Sequence, residues 1–231
     1  MHADDSETLD SRPHVPRAFA FVSSLLLVLS LAQGRGHGQG YGDDGTRGGP
    51  ATSVGVPTPV APPDSPRDAS VPTPEARALY ALIMAYRAEQ GLPAISLSPS
   101  LTAVAAAHVQ DLSQNGASVL TASCNLHSWS DRGAWSPCCY TRDHARSSCM
   151  WNKPRELTSY PGNGYEISIG SVNSTITPQS ALDGWKTSSG HNDVIINRGM
   201  WSQTWQAIGV AIDGRFAHVW FGAEPDPAAT R

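Results

Sequence analysis

The chain has 231 residues and a formal net charge of -4, with 16 Lys+Arg against 20 Asp+Glu. Residues 75–231 carry 11 basic and 12 acidic side chains and no basic run, so the electrostatic footprint of a nucleic-acid binder is missing. The length allows one or two domains, but the N-terminal third is too poor in periodic apolar residues to be one of them.

Residues 18–32 read AFAFVSSLLLVLSLA, an uncharged apolar stretch preceded by Arg12 and Arg17 and closed by Ser30-Leu31-Ala32. The small residues at Ser30 and Ala32 stand where a signal peptidase inspects the chain, and the stretch is shorter than the roughly 20 residues that a membrane span needs. A signal peptide over 1–32 is therefore expected, leaving no membrane span in the mature chain. The acidic start (Asp4, Asp5, Glu7, Asp10) is unusual for such a segment and leaves a downstream start codon open. Residues 33–50 hold eight glycines and residues 57–74 seven prolines, so 33–74 reads as a disordered linker.

The domain is expected over 75–231. Leu79, Leu82, Ile83 and Tyr86 recur at helical spacing until Gly91 and Pro93 end the pattern. Ser98-Pro99 reads as an N-cap followed by proline at the first helical position. The apolar face of that second helix is Leu101, Val104, Ala105, Val109 and Leu112, and Asn115-Gly116 is its expected end. His108 lies on this face and reads as a hydrogen-bonded core histidine. Residues 123–163 are rich in Cys, Trp and Pro without a period and read as a long loop region. A third helix is expected from Pro178 to Ser188. Two strands are expected at 207–212 and 216–221, joined by the turn signal Asp213-Gly214. Helices first and a hairpin last give an α+β class, with helices packed on a small antiparallel sheet. His218 in the last strand reads as surface or hairpin-facing.

The four cysteines, Cys124, Cys138, Cys139 and Cys149, fit two disulfides in an exported chain. A bridge between the adjacent Cys138 and Cys139 is disfavoured, so Cys124 and Cys149 are each expected to bond one of them. A four-cysteine zinc site lacks the usual spacer. The tryptophans Trp129, Trp135, Trp151, Trp201 and Trp205, five of the seven in the chain, are many for this length. Three or more are expected in the core, while exposed ones at a cleft would suit sugars or lipids.

Leu82 to Pro93 followed by Leu101 and Ala105-Ala-Ala-His108 resembles the first two helices of the CAP superfamily, the cysteine-rich secretory, antigen 5 and pathogenesis-related 1 proteins. Cys124-Asn-Leu-His127-Ser128 resembles the family's first cavity histidine. Gly164-Tyr165-Glu166 resembles its Gly-Glu-Asn segment with one residue inserted, and Trp185-Lys-Thr-Ser188-Ser-Gly-His191 the stretch with its second cavity histidine. Ser188 stands where animal and plant members carry glutamate, which is similar to bacterial members. Ala207-Ile-Gly-Val and Val219-Trp-Phe-Gly222 resemble the closing hairpin.

The resemblance implies a three-layer α-β-α sandwich with a disulfide-stapled loop region, and a cavity of two histidines and two acids, of which His127, Glu166 and His191 carry over. Some family members bind zinc there. Neutral imidazoles of His127 and His191 suit a zinc site completed by Glu166 or water, and a metal-free hydrogen-bonded network is the competing reading. Ser188 reads as a cap or a pocket hydrogen bonder, and no Gly-x-Ser-x-Gly elbow is present. The function expected is that of a secreted or periplasmic binding module, more binder than enzyme and monomeric, whose cleft takes a divalent metal, a lipid or a peptide. Its partners would be a small molecule, a lipid or an extracellular protein. The alternatives are a metal-assisted hydrolase with Glu166 as base, and an interaction protein acting through the cysteine-rich loop.

Overall fold

The computed structural model describes residues 69–230 other than 172. The expected signal peptide, and the expected linker up to residue 68, lie outside these residues. Helix α1 spans Pro74–Glu89 and α2 spans Pro99–Val119, followed by the short helices α3 (Ser148–Trp151) and α4 (Lys153–Leu157). Strand β1 (Tyr165–Gly170) precedes α5 (Pro178–Thr187) and α6 (Ser189–Ile195), and β2 (Ala207–Ile212) and β3 (Phe216–Gly222) close the domain. The sheet is antiparallel with order β1-β3-β2.

All three strands are sandwiched, and their period of two sorts side chains between two cores. Ile167, Ile208, Val210, Ile212, Ala217, Val219 and Phe221 point into the core shared with α1 (Leu79, Ile83) and α5 (Ala181, Leu182, Trp185). Ala207, Ala211, Phe216 and Trp220 point the other way, toward Leu101, Val104, Ala105 and Leu112 of α2. This is the expected three-layer α-β-α sandwich. On β2 the α2-facing positions are small for a reason. A Cβ added at Gly209 would sit 2.0 Å from the carbonyl carbon of Leu101, so helix and strand backbones touch there.

Caps set the helix starts. Thr73 Oγ1 accepts from Ala76 N, Ser98 Oγ from Leu101 N, and Thr177 and Ser180 close a reciprocal capping box on α5, each just ahead of a proline. Three expectations are corrected. Helix α2 runs through Asn115-Gly116 to Val119, because Asn115 Nδ2 bonds Asp111 Oδ1 and Gly116 packs beneath Leu120 and Phe216. The stretch 123–163 contains α3 and α4, the latter started by Pro154 in its first turn. Segment 165–170 is a strand that the sequence reading did not identify. The disulfides are Cys124–Cys139 and Cys138–Cys149, one of the pairings left open. Of the five tryptophans expected mainly in the core, Trp129 and Trp205 are buried, whereas Trp135, Trp151 and Trp201 are half-buried.

The C-terminal segment is fastened to the start of α2. Asp226, itself buried, accepts hydrogen bonds from Ser98 Oγ (2.6 Å), Ser100 N (2.9 Å) and Ser100 Oγ (2.9 Å) at the positive end of the helix dipole, and from Ala228 N (3.0 Å). Burial raises its pKa, but the donated bonds from Ser98, Ala228 and Ser100 together outweigh it, and the carboxyl lies below its ordinary value. Asp226→Asn turns an amide N–H₂ toward donors and should cost about 1–3 kcal/mol at pH 7 by urea denaturation. Because the folded-state pKa is depressed, this stability is present above the ordinary carboxyl pKa and lost as pH falls through the folded value. The gap between wild type and variant should therefore close in acid.

Candidate functional site

The α2-facing stripe of the β1–β3 pair carries Glu166 and Ser168 on β1 and His218 on β3, with Glu166 opposite Trp220 and Ser168 opposite His218. Gly164 lets β1 enter this close packing, since a Cβ there would lie 2.5 Å from Pro154 Cγ and 2.6 Å from the Trp220 ring. From the facing helix His108, one turn beyond Val104, descends onto the stripe. The Glu166 carboxylate is sealed from solvent. Its Oε1 receives His108 Nδ1 at 2.6 Å and His218 Nδ1 at 2.7 Å, and its Oε2 receives His127 Nδ1 at 2.8 Å and Ser168 Oγ at 3.4 Å.

The hydrogen bonds fix where the protons are. His108 Nε2 lies 2.9 Å from the carbonyl oxygen of Ser128, which can only accept, so Nε2 carries hydrogen. Its other nitrogen faces Glu166. Either His108 is a full imidazolium, or the proton sits on the carboxyl. Burial pushes Glu166 up, but the charge of His108, the neighbouring His218 and the bonds from His108 and His127 outweigh it, holding the carboxyl well below its ordinary range. The pair is thus an ionised carboxylate against an imidazolium. His108 also stacks on the Trp129 indole at 4.1 Å and 11°, a cation–π arrangement. His218, fully buried, is pushed down to about 4, chiefly by burial and further by the charge of His108 against the pull of Glu166, so it is neutral. Its Nδ1 donates to the carboxylate and its Nε2 has no partner among the described residues.

His127 stands at the boundary, its side chain 17% exposed. Its Nδ1 lies 2.8 Å from Glu166 Oε2 and 2.9 Å from Ser168 Oγ, and no hydrogen bond reaches its Nε2 among the described residues. The loop holding it is fastened on several sides. Ser130 N and Oγ bond Asp111 of α2, Tyr140 N bonds Ser128 Oγ, Trp129 pairs with Cys138, and Cys124–Cys139 ties both ends.

His191 comes from α6 on the other side of the sheet. Its Nδ1 lies 2.8 Å from Ser188 Oγ, and no hydrogen bond reaches its Nε2 among the described residues. Burial and the proximity of His127 press its pKa down to about 4, so the ring is neutral. Helix α6 is braced by α1. Tyr86 Oη bonds Asn192 Oδ1, and the buried Arg87 guanidinium donates to Ile195 O and Asn197 Oδ1.

The model of the family described as CAP, Cysteine-rich secretory protein family, matches residues 80–214. The chain belongs to the CAP family. The match takes in His108, His127, Glu166 and His191, and ends before His218 on β3. Among solved structures the chain is similar to an extracellular SCP-domain protein from Bacillus anthracis, at 18% identity and TM-score 0.46 over 65% of this chain and 40% of that one. It is similar to an outer surface protein from Borrelia burgdorferi, at 16% and 0.45 over 66% of this chain and 95% of that one. A cysteine-rich secretory protein from Staphylococcus aureus follows at 15% and 0.41, over 65% and 38%. This chain therefore spans well under half the length of the first and third of these proteins. No curated protein sequence matches it.

Within this CAP domain the sequence-predicted residues fall into two hydrogen-bonded pairs. His127 bonds Glu166, and Ser188 holds His191. The inner members His108, His218 and Ser168 are additional. The surface reading of His218 is corrected: it is fully buried because it shares the α2-facing stripe with Phe216 and Trp220. That alternation in 216–221, together with Tyr165/Ile167/Ile169 against Glu166/Ser168, was the available signal. His191 and His218 titrate below an unfolded histidine, so protons favour the unfolded chain. Stability should fall as pH drops from about 6.5 toward the folded values near 4. Urea midpoints across that window should show the fall, reduced in His191→Gln.

Proposed function

We propose that this CAP domain is an exported, disulfide-stapled binding module whose cleft takes a divalent cation, zinc by its ligand chemistry, on His127 and His191. One observation carries the reading. Each histidine has its Nδ1 committed to an inner partner, Glu166 for His127 and Ser188 for His191, leaving both Nε2 atoms without a partner among the described residues. A carboxylate or hydroxyl behind the imidazole is the usual way to orient and strengthen a metal-binding histidine. The low pKa of His191 keeps it in the neutral form that a metal requires. Two protein ligands leave positions for water or for a donor group of the bound molecule, as in an open rather than a structural zinc site.

The deeper group of His108, Glu166 and His218 is the tighter cluster of metal-ligand types among the described residues. Its contacts of 2.6 and 2.7 Å are those of direct hydrogen bonds. Two ligand atoms on one tetrahedral zinc lie about 3.3 Å apart. This favours the cleft over the core. Both oxygens of Glu166 are occupied, which supports a positioning role for it and weighs against the general-base reading. The two disulfides agree with an extracellular setting. No helix among the described residues is long and apolar enough to cross a membrane.

Calorimetric titration of the oxidised full chain with zinc tests the reading. One site is expected, with affinity at least tenfold weaker in His127→Ala and in His191→Ala, and roughly 10- to 100-fold weaker in Glu166→Gln. Equal binding by the His127→Ala/His191→Ala double variant, with unchanged circular dichroism, would place the ion elsewhere.

A further inference from the structure

The β2 edge of the sheet is paired at Ile208, and the β1 edge is open. On β2 the segment ahead of α2 serves the outward groups of Ile208, with Ser98 N donating to Ile208 O (2.8 Å) and Ile208 N to Ser96 O (3.0 Å). On β1 the direction of each residue follows from its ladder with β3. Ser171 N donates to Arg215 O (2.9 Å), and hydrogen-bonded pairs alternate along an antiparallel ladder, so Tyr165, Ile167 and Ile169 turn their main-chain groups to β3. Gly164, Glu166, Ser168 and Gly170 turn theirs outward. The first is served, since Gly164 N donates to Trp151 O (2.9 Å). Among the described residues no hydrogen bond reaches the main-chain N–H or C=O of Glu166, Ser168 or Gly170.

This row is open to solvent while both faces of the strand are covered. Glu166 is 7% exposed although its side chain is 0% exposed, so its whole open surface is main chain. Gly170 is half-buried and has only main chain to expose. Ser168 Oγ lies 2.9 Å from His127 Nδ1 on the α2 side. On the other side Ile169 packs on α5, where a Cβ added at Gly184 would sit 2.8 Å from Ile169 Cδ1. The strand carries no lysine, proline or bulge of the kind that blunts an edge.

We infer that β1 takes up an extended peptide segment of a partner protein as an added strand. Its outward N–H and C=O groups, repeated at every second residue, are the complement of another extended backbone. The flanking side chains select the sequence. Alternate residues of the segment adjoin Tyr165 and Ile169, which suits apolar side chains, and those between adjoin Ser168 and His127, which suits polar ones. A second copy of this domain would bring its own covering layers to a strip that α5 and the His127 loop already flank, whereas a single extended chain brings none. Peptide capture rests on the binding-module part of the function proposed above, names its partner, and does not depend on zinc.

The test is run in EDTA, which keeps it separate from zinc binding. A phage-displayed library of random peptides about a dozen residues long, roughly twice a typical strand, is selected on the oxidised full chain, and the recovered peptide is synthesised. Saturable binding is expected by calorimetry below about 1 mM peptide. Hydrogen exchange of the Glu166, Ser168 and Gly170 amides should slow about tenfold or more in the complex, whereas those of Ile167 and Ile169 are protected before peptide is added. Methylating the peptide nitrogens one at a time should abolish binding at every second residue and spare the residues between. Ser168→Pro removes an outward N–H that β3 does not use, and should weaken binding about tenfold more than Ser168→Ala, which loses the same hydroxyl and keeps the N–H. Recovery of no binding peptide, unchanged exchange at the three amides, or a peptide that binds both Ser168 variants alike would overturn the inference. So would exchange at these amides that slows with protein concentration alone, which would give the edge to a second copy.

Discussion

An ionised carboxylate in a dry core must be surrounded by donors, and Glu166 organises this domain on that requirement. Desolvating it would cost several kcal/mol if nothing answered the charge. His108 answers it from the facing helix, His218 from the neighbouring strand, His127 from the loop and Ser168 from its own strand. One side chain thus links sheet, helix and loop. The inner imidazolium supplies the counter-charge, the neutral His218 supplies a hydrogen bond, and the outermost histidine carries the network to the boundary.

The surrounding structure serves this arrangement. His108 Nε2 holds Ser128 O, and Asp111 one turn further along α2 holds Ser130, so α2 grips the histidine loop on both sides of Trp129. The disulfides close the same loop from behind, and the adjacent Cys138 and Cys139 send their bonds in opposite directions along the chain. On the far side of the sheet, Tyr86 and Arg87 of α1 fix α6 and with it His191. The two histidines of the cleft are therefore carried by different layers. The buried Arg87 guanidinium is served by carbonyl-type oxygens of Pro93, Ile195 and Asn197.

Much of the fold was legible because local rules and tertiary packing agree. The Thr73-Pro74, Ser98-Pro99 and Thr177-Pro178 caps, the period-two run at 207–212 and the Asp213-Gly214 turn all act locally. Strand β1 was missed because Glu166 and Ser168 occupy its buried face, and a polar residue in an apolar alternation reads as exposed until its partners are known. The same holds for His218, whose burial depends on a carboxylate some fifty positions earlier in the chain. Asn115-Gly116 reads as a stop, but the packing of Gly116 beneath Leu120 and Phe216 overrides it. The outer site residues could be found from motif order. The inner ones belong to a hydrogen-bond network assembled from α2, β1 and β3, which no local pattern contains. The disulfide pairing likewise awaited the geometry of the loop.

The central claim is that the buried proton resides on His108 and that Glu166 is a carboxylate. Long-range ¹H–¹⁵N correlation of the histidine side chains at neutral pH reads this directly. The expected spectrum has both nitrogens of His108 protonated and His218 as a neutral tautomer with hydrogen on Nδ1. A His108 ring protonated at Nε2 alone would place the proton on Glu166 and contradict the account.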